Sequence, residues 1–414
     1  MMKKVTHCRC CGSSSIKRYL NLGKQPLANS YHKEGEKLVY FPLEVMVCTQ
    51  CFHSQLSIVV DPHSMFTNYL YVSGTTETFR NHCKELAKNA LIRFKKKKVT
   101  VLDIACNDGT QLEYFREFGA SVYGVDPAKN LREMTRRKHI PVVVDFWRPA
   151  VAQKINKKFD LITGTNVFAH VNDLDEFLAG VTIALKDDGI LLLEFPYANM
   201  MIEHNEFDTV YHEHLSYFLV NSFVTLMERN NFHIIDILQT KIHGGSIRFF
   251  VQKGKQAHCR TIKQLLVREK EKGLLSLSTY LAFAQRVKRN KNQMKKILKN
   301  ARSNNMKIVG YAASAKGNTM LNYFKIHLDY IVDDNSLKHG LLTPGRDIPI
   351  KAPSVLQDEK RSIAVVVLAW NFYNEIIEKV KHIRTKAHND LFITYVPHVQ
   401  VFTSRQKKEL RVSA

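Results

Sequence analysis

The sequence predicts an α/β fold with two Rossmann-like units behind a small cysteine module, and three observations carry that prediction. Val99 to Asn130, VTVLDIACNDGTQLEYFREFGASVYGVDPAKN, reads as an apolar strand, a small-residue turn, a helix and a second strand with an acidic tip. From Met306 the same grammar returns in KIVGYAASAKGNTMLNYF followed by YIVDDN. Ahead of both, five of the eight cysteines fall within the first 51 residues.

Length and composition agree with this division. A chain of 414 residues exceeds one ordinary core, and 45% hydrophobic with 24% charged residues is a globular balance. The pattern breaks suggest a cysteine module over 1–65, a central sheet domain over 66–255, a helical connector over 256–300 and a second sheet domain over 301–414. No apolar run approaches the roughly 20 residues that span a bilayer. The start, MMKKVTHCRCC, lacks the apolar core of a signal peptide, so the cytoplasm is the expected location. A formal charge of +23 favours polyanionic partners, but the basic residues are spread along the chain. A solvated basic surface accounts for that spread, so neither nucleic acid nor membrane is expected as a partner.

The first element is a metal module. Cys8 and Cys11 form one C-x2-C pair, Cys48 and Cys51 a second, and two such pairs can supply four thiolates to a tetrahedral zinc. A segment this short has little apolar area to bury, and metal binding can supply the missing folding free energy. Four protein ligands leave no open position, so the zinc is expected to be structural. Cys10 is a spare that could stand in for Cys8 or Cys11. Disulfides are the competing reading, disfavoured by the missing export signal.

In the central domain the turn from Ala105 to Gly109 follows the first strand, and Asp126 ends the second, 17 residues beyond Gly109. Such a turn lets backbone approach a ligand closely, while the carboxylate accepts from ribose hydroxyls. The turn is not G-x-G-x-x-G, which a pyrophosphate would require. Asn107-Asp108-Gly109 suits a cationic adenosine ligand better, which points to S-adenosylmethionine. Farther on, Asp145 is placed to hold an adenine amino group. Asn166 and His170 fall at the carboxyl edge of the sheet, where open α/β folds bind ligands.

A strand-like ILLLEF then feeds EFPYANMMIEHNEFDTVYHEHLSYF, whose densest part is Tyr211-His212-Glu213-His214. Two imidazoles, a phenol and a carboxylate are poor core material, since each needs a partner when buried. They are suited to moving a proton near neutral pH. Taken alone, such a cluster is more often a polar loop with solvated histidines.

After it come a strand pair around His243-Gly244-Gly245-Ser246, a turn that could also bring backbone close to a ligand, and a basic amphipathic stretch from Thr261 to Asn300. In the last domain the turn Ala312 to Asn318 should open a helix. Free N–H groups with Ser314, Lys316 and Asn318 there form an expected phosphate site.

Together the paired CxxC module, NDG turn, NVFAHVND, EFPY with DTVYHEHLSYF, HGGSIR, and GYAASAKGNTMLNY with VDDN and TPGRDIPI span essentially the whole chain. In this order they resemble the bacterial sugar C-methyltransferases of nucleotide-linked 4-keto-deoxysugars, notably the 3-C-methyltransferases. The resemblance implies zinc on Cys8, Cys11, Cys48 and Cys51, and S-adenosylmethionine lined by Asp103, Asn107, Gly109 and Asp126. It implies His214 as general base, with Tyr211, Glu213, His170 and Tyr71 at the reacting centre. His243, Ser246 and Arg248 of HGGSIR, with Ser314, Lys316 and Asn318, would face the sugar nucleotide, and the chain is expected to work as a monomer. Two positions depart from the family pattern: Asp103 stands where glutamate is expected, and SGTT replaces a more serine-rich loop. Two other classes remain to be separated: an RNA methyltransferase with a zinc module, and a non-catalytic zinc-anchored scaffold.

Overall fold

The structure is a computed structural model, and it describes residues 2–403 except 68, 70, 71, 97 and 385–388. The chain divides into two compact units. The first comprises Met1–Lys17, Val47–Ala198 and Glu213–Ser276; the second comprises Arg18–Met46, Asn199–His212 and Leu277–Ala414.

The first unit contains a seven-stranded sheet. Its strands are β1 (Thr100–Ile104), β2 (Ser121–Val125), β3 (Val142–Val143), β4 (Phe159–Thr165), β5 (Leu185–Pro196), β6 (Phe232–Thr240) and β7 (Ser246–Lys253). Their spatial order is β6-β7-β5-β4-β1-β2-β3, all parallel except β7, which runs antiparallel to both neighbours. Strand alternation makes the two faces. Val101, Leu161, Ile190, Leu192 and Phe250 form an apolar layer under helices α1 (Glu77–Leu91) and α2 (Thr110–Glu117), which contribute Leu86, Ala87, Ala90, Leu112 and Phe115.

On β1 the same parity that points Val101 into this layer points Asp103 there too, one step nearer the carboxyl end. There a polar layer replaces the apolar one: Asp103 accepts from Thr163 Oγ1 at 2.7 Å and from Gln111 Nε2 at 3.1 Å. Buried polar atoms of this kind persist only when paired.

The basic stretch read as one connector is two helices, Arg260–Glu271 and α3 (Leu277–Ser303). Gly273 interrupts them at φ +68°, a backbone state that ends a helix cheaply only at glycine. One helix belongs to each unit. On α3, Tyr280, Phe283, Val287, Met294 and Leu298 are buried at helical spacing, and its lysines and arginines lie off that stripe.

The second unit carries a six-stranded sheet of β8 (Lys307–Tyr311), β9 (Tyr330–Val332), β10 (Ile350–Lys351), β11 (Ile363–Val367), β12 (Leu391–Thr394) and β13 (Gln400–Thr403). Their order is β10-β9-β8-β11-β12-β13, parallel but for the last. Helix α4 (Ala315–Phe324) follows β8.

The two units repeat one backbone device. After β1, Ala105 takes φ +60° and donates to Val125 O; after β8, Ala312 takes φ +71° and donates to Val332 O. Asp126 accepts from Asn107 N and Ala128 N at 2.8 Å each. Asp333 accepts from Ala313 N at 2.7 Å and Asn335 N at 2.8 Å. Both sequence signatures therefore fold into the same turn-and-acid construction. In the first unit Gly109 caps α2 at φ +78°, and a Cβ there would meet Ile140 Cδ1 at 2.7 Å. Gly109→Ala should destabilise this unit by about 1–2 kcal/mol, measured as an earlier urea midpoint.

Candidate active site and zinc centre

The cofactor floor is built from the turn between β1 and α2. Asn107, at φ +51°, aims its N–H at Asp126, while its side-chain oxygen accepts from Ser73 N at 2.9 Å. The segment Ser73–Thr75 rests on this turn so closely that a Cβ on Gly74 would collide with Thr110 Oγ1 and Asp108 Oδ2. Asp126 and Asp103 are both buried, and burial raises both carboxyls, that of Asp103 to about 7. Two backbone donors on Asp126 leave lone pairs for a ribose diol. Asp145 is engaged elsewhere: Arg148 Nη2 donates to both its oxygens at 3.2 and 3.0 Å. Asn107 and Asp126 fit the adenosine half of S-adenosylmethionine.

The carboxyl end of β4 supplies the neighbouring wall. Asn166 sits at φ +55°, donates its N–H to Glu194 O at 2.7 Å, and has a buried Oδ1 with no partner among the described residues. Four residues on, His170 closes a short helical turn, and burial pushes its imidazole down to about 4, so it is neutral at physiological pH.

His214 packs edge-on against it, with ring centroids 4.9 Å apart and planes at 86°. The next backbone N–H, of Leu215, donates to Ala169 O at 2.8 Å, which locks the two histidines together. Glu213 accepts from the Tyr69 hydroxyl at 3.1 Å, and Phe66 bridges Tyr69 and His170 with ring contacts of 5.6 Å each.

The YHEH run is thus divided by direction. Glu213 and His214 belong to the first unit; Tyr211 and His212 belong to the second, where His212 Nε2 donates to Pro42 O at 3.2 Å and burial holds the ring neutral. Tyr71 and the side chain of His243 lie outside the described residues.

Several site residues escaped sequence reasoning. Tyr69, two positions before Tyr71, is the phenol that meets Glu213. Glu194, on β5, accepts from His82 Nε2 at 2.5 Å and Arg248 Nε at 2.7 Å, and all three interact in the interior. The only sequence signal was a lone acid within ILLLEF. Arg248, expected toward substrate, is fully buried against Glu194, and Ser246 donates to Ile242 O at 3.1 Å.

In the second unit Ser314 caps α4 by accepting from Gly317 N at 3.0 Å, and buried Asn318 donates to Ala28 O at 2.8 Å. Both have structural duties where phosphate contacts were expected. Lys316 lies over Trp370 at 4.5 Å, and Trp370 Nε1 and Tyr395 OH each donate to buried Asp208 at 2.8 Å.

The four expected metal ligands converge. Sulfurs of Cys8, Cys11, Cys48 and Cys51 lie within 4.8 Å of one another. Cys8 and Cys51 are 3.5 Å apart, as are Cys11 and Cys48. A tetrahedron with bonds near 2.3 Å has edges of about 3.8 Å, so the cage fits zinc. Cys10 is outside it, fully buried, with its thiol pushed up by that burial.

Three family models partition the chain: a zinc binding domain over residues 8–66, a methyltransferase domain over 76–237 and a C-methyltransferase C-terminal domain over 241–397. Their order, zinc module first and C-methyltransferase domain last, marks the chain as a homologue of C-methyltransferases. C-methyltransferase NovU of Streptomyces niveus is 29% identical over 418 residues, covering 98% of each chain. A ubiquinone biosynthesis O-methyltransferase of Pelagibacter ubique is 33% identical over 100 residues, 23% of this chain and 42% of that one. The chain is an S-adenosylmethionine-dependent methyltransferase with a four-cysteine zinc-binding site. No helix among the described residues is long and apolar enough to cross a membrane.

Two outcomes follow from the site. Cys48→Ser should lower zinc content well below one ion per chain by atomic absorption, together with the thermal midpoint. Unfolding returns His170 to its ordinary value near 6.5, so between pH 6.5 and 4 the unfolded chain takes up a proton that the folded chain refuses. Stability therefore falls as pH falls through that window, by roughly 1–3 kcal/mol from this group. His170→Asn should flatten the slope in melts from pH 7 to 4.5.

Proposed function

We propose that this enzyme transfers a methyl group to C3 of a nucleotide-diphospho-4-keto-6-deoxysugar, giving a branched sugar. The observation that carries the reading is the packed His170–His214 pair at the carboxyl edge of the sheet, in the same unit as the Asp126 turn. A hydrogen next to a ketone can be removed by imidazole only if the enolate is stabilised. Methylation at a hydroxyl would also use a base, but it needs no second group to stabilise an enolate oxygen. The full-length likeness to a protein named C-methyltransferase supports carbon as the acceptor.

In this reading His214 takes the C3 proton, and the electron pair moves into the C4 carbonyl to form an enolate. Neutral His170 donates a hydrogen bond to the C4 oxygen. Glu213, tethered by Tyr69, holds the adjoining backbone. S-adenosylmethionine, when bound, supplies the methyl group as an electrophile for the enolate carbon. Asn107, Gly109 and Asp126 would hold its adenosine. Holding the base and the enolate carbon in one geometry accounts for much of the rate.

The test is mass spectrometry after incubation with S-adenosylmethionine and thymidine-, guanosine- and cytidine-diphospho 4-keto sugars, with a gain of one methyl expected on one of them. His214→Asn should abolish turnover while both ligands still bind. Near wild-type turnover in His214→Asn would overturn the base assignment.

A further inference from the structure

The zinc cage holds no catalytic group, yet its first knuckle reaches the histidine pair. Arg9, between Cys8 and Cys10, is 9% exposed and points inward. Its Nη1 donates to Leu56 O at 3.4 Å and Leu215 O at 3.3 Å, and its Nη2 donates to Asn172 Oδ1 at 3.4 Å. Leu215 follows His214, and its own N–H holds Ala169, which precedes His170. Leu215 O also accepts from Leu56 N at 3.0 Å. The strand Ser216–Tyr217, next in the chain, pairs antiparallel with Ser54–Leu56, a strand that leaves the second knuckle. His53 Nε2 and Ser216 Oγ are 3.2 Å apart across this pairing, and Asn221 Nδ2 donates to Cys51 O at 2.9 Å.

We infer that Arg9 is a positioning residue that couples the zinc knuckle to the His170–His214 pair by clamping the backbone of Leu215. A two-residue strand has little stability of its own, so its place depends on the strand it pairs with. That partner belongs to a module too small to fold without its metal. The guanidinium fork suits the duty because it spans two carbonyls and an amide at once, which a single ammonium cannot do. Four thiolates on one zinc leave a net negative cage, and Arg9 is the cation beside it. Loss of zinc would remove both the scaffold and the counter-charge, releasing Leu215 and with it the angle between the two imidazoles.

This inference rests on the proposed role of the two histidines, but its primary readout needs no sugar. Full-length protein is labelled with ¹³C-histidine, and the His170 and His214 signals are assigned from His170→Asn and His214→Asn. Arg9→Met should keep one zinc per chain and unchanged S-adenosylmethionine affinity by calorimetry, while both histidine signals move. On whichever acceptor is found, kcat should fall on the order of 10²-fold with KM for S-adenosylmethionine unchanged, since misplacement of about 1 Å has that effect. Arg9→Lys should recover part of the loss.

Should Arg9→Met fail to fold, the wild-type holoenzyme is treated with a zinc chelator instead. The inference then requires that the two histidine signals shift while S-adenosylmethionine still binds. Unmoved signals in either experiment would overturn it. So would loss of cofactor binding together with the fold, because zinc would then support the whole unit rather than this pair. If no sugar in the panel is methylated, the function fails separately and the histidine signals still decide the coupling.

Discussion

One backbone hydrogen bond, from Leu215 N to Ala169 O, sets the geometry of the His170–His214 pair. It joins segments 46 residues apart and brings two imidazoles edge to face. Neither segment is regular structure at that point: His170 ends a one-turn helix and His214 lies just before a two-residue strand. Short irregular pieces lose more entropy on ordering than they recover in local bonds. They are therefore held from outside, by the carboxyl edge of the sheet through Asn166 and Glu194, and by the cysteine module through Ser54–Leu56.

The same need for external support explains the buried charges under the site. Glu194 is fully enclosed, and burial by itself would raise its carboxyl, but His82 and Arg248 hold it below its ordinary value. Breaking such a set leaves an uncompensated charge in the interior, a large cost. These residues lie on β5, β7 and α1, so the ion set also fastens the antiparallel strand and the first helix to the edge where the site forms.

The acid-tipped turn occurs in both units, yet its surroundings differ. In the first, Asp126 meets backbone donors alone among the described residues. In the second, Lys338 Nζ donates to Asp333 at 3.2 Å and to Ala313 O at 2.7 Å, so a cation already sits on the corresponding carboxylate. The same fold signature thus sits in two different polar settings, and for this reason function has to be argued from the site rather than from the repeat.

Much of this was legible in the chain itself. The paired CxxC spacing, the NDG turn with Asp126 and the second unit with its acidic tip all depend on residues close in sequence, and short-range sterics and ligand spacing decide those. Sequence could not show that His212 turns to Pro42 while His214 turns to His170, that Arg248 is spent on Glu194, that Ser314 and Asn318 serve the helix they begin, or that Arg9 reaches Leu215. Each of those outcomes is a choice of partner for a polar group. That choice is made by whichever acceptor the tertiary packing brings within about 3 Å, because a buried donor left without one is too costly to keep.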